Sequence, residues 1–151
     1  MKRFLCLLMF ALILHGVEVF ANNDQTSCGY TGRVTLSITP AGPGADIMTS
    51  HGYAFGSGVT VGGGIGVSLS DSKFYDVLCL VFADTKHNLM SESKVSPFLD
   101  CKLGFATDFD KRCYAFLSPA MGIDMGCFSV FVSYDMVSEL RITHIGFSFN
   151  F

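Results

Sequence analysis

The sequence predicts an all-β protein, folded as a closed, antiparallel, up-and-down barrel of about eight strands. Apolar and polar residues alternate with period two from about residue 30 onward, and short breaks rich in Gly, Asp, Ser and Pro interrupt this alternation. No capped amphipathic helix appears after residue 28. Half of the residues are apolar and only 15% are charged. Because only helices and closed barrels satisfy their backbone in lipid, this composition favours a transmembrane β-barrel.

The first 21 residues predict a cleaved signal peptide. Lys2 and Arg3 form a basic start, residues 4–14 are almost wholly apolar, and residues 19–21 suit a cleavage site. The apolar run is shorter than the roughly 20 residues that a membrane helix needs. We therefore expect a signal peptide over 1–21, a short segment over 22–29 and one barrel domain over 30–151; a buried N-terminal helix is the alternative.

The first three candidate strands place apolar residues on one face and small or polar residues on the other. Their apolar rows are Val34, Leu36 and Ile38 in 32–39, Tyr53 and Phe55 in 47–55, and Val59, Val61, Ile65, Val67 and Leu69 in 59–69. The third strand carries Gly62, Gly64 and Gly66 on its opposite face, where small residues suit a narrow barrel. This glycine run is not a phosphate loop, because no helix and no Lys-Ser/Thr pair follow it.

The next three candidate strands cover 75–85, 95–107 and 112–122. The fourth is apolar on both faces, so its orientation is open. If Val77, Cys79 and Val81 point outward, Asp84 points inward. In the other two strands the outward rows are Val95, Leu99, Cys101, Leu103 and Phe105, and then Ala115, Leu117 and Met121. Asp100 and Lys102 then face inward.

The last two candidate strands have the clearest alternation. One carries Phe128, Val130, Val132 and Tyr134 on a single face, and the other carries Ile145, Phe147, Phe149 and Phe151. His144, Gly146, Ser148 and Asn150 occupy the opposite face of the final strand. The candidate strands approach the ~9–11 residues of a tilted transmembrane strand.

The polar face of these strands indicates which side meets lipid. It is rich in Gly, Ser and Thr and poor in charge, which is unusual for the outside of a soluble barrel. We therefore expect the apolar face to point outward and the polar face inward. A soluble barrel that binds a small apolar ligand is the alternative.

A few ionisable residues fall on the expected inner face. They are Arg33, Asp84, Asp100, Lys102, Asp124 and His144. Charged groups in a narrow interior must pair or be solvated, so these residues predict an internal network of ion pairs and hydrogen bonds. An eight-stranded barrel also leaves little room for a channel.

Charge and cysteine content exclude several classes of function. Without the signal peptide the chain has 8 basic and 12 acidic residues, out of 10 and 13 in the whole sequence. It therefore lacks the basic patch of a nucleic-acid-binding protein. The five remaining cysteines have no zinc-ligand spacing, so we expect neither metal nor cofactor. Cys79 with Cys101, and Cys113 with Cys127, can form disulfides only if neighbouring strands place them together.

Several motifs together resemble a known family. They are the terminal Ile145–Phe151 with alternate aromatics, His51–Tyr53 with Gly62–Val67, Val95–Phe98 with Leu103–Phe105, and Ser118–Pro119 with Gly122. The chain is similar in these features, over roughly residues 30–151, to the small outer-membrane β-barrel proteins of Gram-negative bacteria. The resemblance implies a porin-like fold, an outer-membrane location and a C-terminal signal (Ile145, Phe147, Phe149, Phe151) for the barrel-assembly machinery. The family's usual Trp is absent, so aromatic girdles must rest on Tyr and Phe.

The functional expectation is a monomeric outer-membrane protein with a structural or interaction role, in contact with lipid and without catalytic activity. A barrel enzyme that acts on lipid or peptide is a further alternative. It requires His51 or His144 to lie within hydrogen-bonding reach of a carboxylate and a hydroxyl group.

Overall fold

The computed structural model describes residues 28–40, 43–70, 77–90, 93–108 and 112–151, so the expected signal peptide lies outside the described residues. Eight strands form one closed barrel. They are β1 (Gly29–Ile38), β2 (Gly44–Phe55), β3 (Val59–Ser70), β4 (Val77–Asn88), β5 (Val95–Asp108), β6 (Cys113–Met125), β7 (Phe128–Val137) and β8 (Leu140–Asn150). Within the described ranges, no helix has the length and apolarity needed to cross a membrane.

Each strand pairs antiparallel with the next one, and β1 pairs with β8 to close the barrel. We call the end where β1 begins and β8 ends the proximal end, and the end where β1 stops at Ile38 the distal end. Two of the proximal turns contain a glycine with positive φ, Gly58 at 80° and Gly126 at 72°. Glycine adopts this conformation at no steric cost, so both turns are short.

The outer surface is apolar on every strand. Its exposed large side chains are Tyr30 and Ile38 on β1, Tyr53 and Phe55 on β2, Val61, Ile65 and Leu69 on β3, Val81 on β4, Val95, Leu99, Leu103 and Phe105 on β5, Met121, Ile123 and Met125 on β6, Phe128, Val130, Val132 and Tyr134 on β7, and Ile145 and Phe147 on β8. A continuous apolar band of this kind is the lipid-facing surface of a membrane barrel. The predicted fold class is thereby confirmed.

Several strands extend further than the sequence pattern predicts, and three of them gain residues at their C-terminal ends that bear on the interior. β4 continues to Asn88, β6 to Met125 and β7 to Val137. Lys86 and Asp135, which we expected in polar breaks, therefore lie inside strands and are buried. The prediction was wrong here because a charged residue near a strand end resembles the start of a turn when only local sequence is considered.

The distal half of the interior contains an apolar cluster beside its polar residues, whereas we expected a largely polar inner face. Its buried residues form one cluster: Met48, Leu78, Leu80, Phe82, Ala106, Phe116 and Val137. Gly64 makes room for the Phe82 ring, because a Cβ atom on Gly64 would lie 2.6 Å from the ring's Cζ atom. Small residues on one strand thus accommodate large ones on the next, as packing in a narrow barrel requires.

Phe151 lies at the seam that closes the barrel. Its backbone N–H donates to the Gly32 carbonyl (2.9 Å), and the Gly32 N–H donates to the Phe151 carbonyl (2.7 Å). The ring covers Gly32, where an added Cβ would collide with ring atoms, and it also contacts the rings of His51 and Phe149. It is only 6% exposed, whereas Ile145 and Phe147 earlier in β8 are about half exposed. The last residue therefore packs against the seam.

No disulfide links the five cysteines in the described part of the chain. Cys79 lies opposite Thr107 and Cys101 lies opposite Thr85, so the two are offset by six residues along β5. This offset corresponds to about 20 Å at 3.3 Å per residue, far beyond the ~7 Å limit for a disulfide. Cys113 begins β6 at the distal end, and Cys127 lies in the proximal turn after it.

Candidate functional site

The charged interior of the barrel is the candidate functional site. Alternation along the strands turns one ionisable side chain or more inward from each strand except β3. The buried ionisable residues are Arg33, Asp46, Asp84, Lys86, Asp100, Lys102, Asp124, Asp135 and His144. They form three groups along the barrel, which we call the central, proximal and distal groups.

The central group joins β1, β4 and β5 around Arg33. Arg33 Nη2 lies 2.5 Å from Asp84 Oδ2, and Arg33 Nη1 lies 2.9 Å from Asp100 Oδ2. Lys102 Nζ also donates to Asp100 Oδ2, at 2.9 Å. One guanidinium thus binds two carboxylates on neighbouring strands, a task that its forked donors suit. The group neutralises itself, with two basic and two acidic side chains.

The proximal group joins β4, β6, β7 and β8. Lys86 Nζ lies 2.8 Å and 2.6 Å from the two carboxylate oxygens of Asp124, and 4.4 Å from the centre of the Phe98 ring. Ser129 Oγ donates to Asp124, and Asn150 Nδ2 donates to Ser129 Oγ at 2.8 Å. This chain of contacts crosses the interior and holds the last residue of β8 in place.

The distal group contains Asp46 on β2, Asp135 on β7 and His144 on β8. His144 Nδ1 lies 2.8 Å from Asp46 Oδ2, and His144 Nε2 lies 3.8 Å from Asp135 Oδ2. Ser37 donates to Asp46 at 3.0 Å, and Ser118 donates to Asp135 at 2.6 Å. Among the described residues, the two carboxylates here face one imidazole and no lysine or arginine. One ligand atom from each of the three residues lies within 4.8 Å of the others.

The structure buries all six residues that we expected on the inner face and divides them among the three groups. Arg33, Asp84, Asp100 and Lys102 come together, whereas Asp124 and His144 lie apart from them. Sequence reasoning missed their partners: Lys86, Asp46 and Asp135. Lys86 lies on the same strand face as Asp84, and Asp135 lies on the same face as Ser133. If each predicted strand is extended by a few residues, both side chains are therefore predicted to point inward.

The His144 environment does not have the geometry of a nucleophile triad. A triad needs a hydroxyl on one imidazole nitrogen and a carboxylate on the other. His144 does lie within reach of a hydroxyl and a carboxylate, because Thr39 is at 3.5 Å and Asp46 at 2.8 Å, but both of them lie on Nδ1. The carboxylate on the Nε2 side, Asp135, is 3.8 Å away, beyond hydrogen-bonding distance. The histidine is buried, with 3% of its surface exposed.

His51 lies on the outer face, where strand parity predicts it. Tyr30 Oη lies 2.5 Å from His51 Nδ1, and Thr49 Oγ1 lies 3.2 Å from His51 Nε2. Both ring nitrogens thus have hydroxyl partners, and the described contacts of His51 include no carboxylate. Together with Tyr53 and Phe55 this region forms an aromatic cluster at the proximal end, consistent with a girdle at a membrane interface.

Comparison with solved structures identifies the same architecture in membrane barrels. The chain is similar to Neisserial surface protein A, with a TM-score of 0.56 at 12% identity over 80% of this chain and 92% of that one. It is also similar to the Yersinia pestis outer membrane protein Ail, with a TM-score of 0.51 at 12% identity over 83% and 100% of the chains. A de novo designed transmembrane β-barrel matches with a TM-score of 0.51 at 12% identity over 81% and 94%.

No family model and no curated protein matches the sequence. At these identities the structural matches establish the fold alone. The fold, the apolar outer surface and the charged interior together define a small, eight-stranded transmembrane β-barrel.

Proposed function

We propose that this chain is a resident protein of the bacterial outer membrane with a structural or interaction role and no catalytic activity. The observation that carries the proposal is the contrast between the two faces of the barrel. Every strand exposes large apolar side chains, while the interior is filled by ion pairs and packed rings. Such a barrel is stable in lipid, and its own side chains occupy the space that a channel would need.

Three further features support the outer membrane as the location. The N-terminal residues have the layout of a signal peptide, and the alternate aromatics that end at Phe151 resemble an assembly signal. Two similar structures are named as surface or outer-membrane proteins of bacteria. We propose that the barrel is a monomer whose outer surface contacts membrane lipid.

Fractionation of cells that produce the full chain tests the location. We expect the protein in the outer-membrane fraction, released only by detergent, and we expect its gel migration to change on boiling because a closed barrel resists unfolding in detergent. Recovery in the soluble fraction without detergent would contradict the proposal. In planar lipid bilayers, we expect no steady conductance from the purified protein, and stable single-channel steps would show that the interior is not closed.

The proposed interaction with the barrel-assembly machinery has a separate test. Replacing Phe151 with Asp is expected to lower insertion in cells more than it lowers refolding into detergent micelles, where no machinery is present. Equal losses in the two settings would mean that Phe151 acts through its packing against Gly32 alone.

A further inference from the structure

Charge is unevenly distributed among the three interior groups. The described interior contains five buried aspartates, three buried basic residues and His144. The central group balances two acidic with two basic residues, and the proximal group pairs Asp124 with Lys86. All of the excess negative charge therefore lies in the distal group, on Asp46 and Asp135.

Burial makes this excess costly. Asp46 is 2% exposed and Asp135 is 5% exposed. Val137, two residues beyond Asp135, belongs to the distal apolar cluster, and Ile142, two residues before His144, packs against that cluster. A buried carboxylate without a compensating positive charge is strongly disfavoured in such surroundings. The distal group therefore needs either a cation or the protonation of a carboxylate to balance its charge.

A protonated His144 meets this need only in part. Its Nδ1–H can donate to Asp46 at 2.8 Å, but Nε2 is 3.8 Å from Asp135, which is too long for a hydrogen bond. Asp46 Oδ1 is also buried and has no hydrogen-bond partner among the described residues. Asp46 Oδ1 is thus left without a hydrogen bond, and Asp135 lies beyond hydrogen-bonding distance of His144 Nε2.

The three side chains are suitable ligands for a divalent transition metal. Imidazole nitrogen and carboxylate oxygen bind Zn²⁺ at about 2.0–2.2 Å, so two ligands of one ion are at most about 4.4 Å apart. The ligand atoms of Asp46, Asp135 and His144 lie within 4.8 Å of one another, so side-chain shifts of a few tenths of an ångström or more bring all three to bonding distance of one ion. Ser37 donates a hydrogen bond to Asp46 and Ser118 donates one to Asp135, as residues next to metal ligands commonly do.

We propose that Asp46, Asp135 and His144 form a binding site for one divalent transition-metal ion inside the distal half of the barrel. Two carboxylates and a neutral imidazole balance the charge of such an ion completely. The ion would join β2, β7 and β8, as Arg33 joins β1, β4 and β5 in the central group and Lys86 joins β4 and β6 in the proximal group. This site goes beyond the structural role proposed above, and a barrel without it can still reside in the outer membrane.

Zinc binding to the purified barrel in detergent tests the site. The thiols are first alkylated, because cysteine thiolates bind zinc, and the protein is then stripped with chelator, loaded with Zn²⁺ and desalted. Elemental analysis is expected to find one zinc per chain. Asp135→Asn and His144→Gln are each expected to weaken binding at least tenfold. Asp84→Asn, which removes a buried carboxylate outside the site, is expected to retain the ion.

X-ray absorption at the zinc edge of the loaded wild-type protein provides a readout that needs no variant to fold. We expect a shell of nitrogen and oxygen ligands with one imidazole. The proposal is overturned if the wild-type barrel retains no zinc, if both site variants bind as tightly as wild type, or if the shell contains no imidazole. None of these results affects the membrane location, which fractionation tests separately.

Discussion

Arg33 provides the most direct test of how the interior is held together. Its guanidinium contacts Asp84 and Asp100, and the structure gives Asp84 no other ion pair among the described residues. Arg33→Met keeps most of the side-chain length and removes the charge. Asp100 then retains Lys102, whereas Asp84 is left buried without a counter-ion. Removing one partner of a buried pair typically costs about 3–5 kcal/mol, so we expect a loss in that range.

A double-mutant cycle separates the ion pair from other effects of the substitution. Asp84→Asn is expected to cost less, about 1–3 kcal/mol, because Arg33 keeps Asp100 as its partner. In the Arg33→Met/Asp84→Asn double variant, no charge is left unpaired at this position. We therefore expect it to lose about 1–3 kcal/mol less than the sum of the two single variants.

The measurement is urea unfolding of the refolded barrel in detergent micelles. The chain has no Trp, so far-UV circular dichroism is the appropriate signal. Arg141→Met is the matched control, because Arg141 is exposed and donates hydrogen bonds to the Ser138 and Leu140 carbonyls. We expect it to change stability by about 0.5 kcal/mol. Additive losses in the double variant, or a loss below about 1 kcal/mol for Arg33→Met, would refute a buried Arg33–Asp84 ion pair.

Three more predictions follow from the packing. Gly32→Val places a side chain where the Phe151 ring lies and should destabilise the barrel by about 1–3 kcal/mol in urea unfolding. Gly29→Val is the control, because a Cβ atom there meets nothing within 4 Å. Equal effects of the two substitutions would contradict the seam contact. Phe82→Ala should cost about 3–5 kcal/mol, because the buried ring packs against Phe116, and a loss under about 1 kcal/mol would mean that the distal cluster is not close-packed. Iodoacetamide applied to the unfolded, unreduced chain from residue 22 onward should add five labels by mass spectrometry, and three would reveal a disulfide.

The distal group shows where sequence reasoning stopped. His144 was expected on the inner face because it alternates with Ile145, Phe147 and Phe149. Its partners, Asp46 and Asp135, lie 98 and 9 residues away along the chain. The alternation along a strand predicts that a side chain faces inward. It does not predict which strand lies across the interior, or which of its residues lies at the same position along the barrel axis. A site assembled from β2, β7 and β8 therefore has no local sequence signature.

The sequence by itself determined the fold class and which residues of a strand share a face. The period of side-chain alternation is a local property of extended backbone, so Val81 and Asp84, or Leu99 and Asp100, could be assigned to opposite faces without knowledge of their neighbours. The tertiary structure decided the pairing. Closure of β1 against β8, the stagger between strands and the extra length of β4 and β7 bring Arg33 to Asp84 and Lys86 to Asp124. These contacts depend on tilt and register around the whole barrel, which no single segment of the chain encodes.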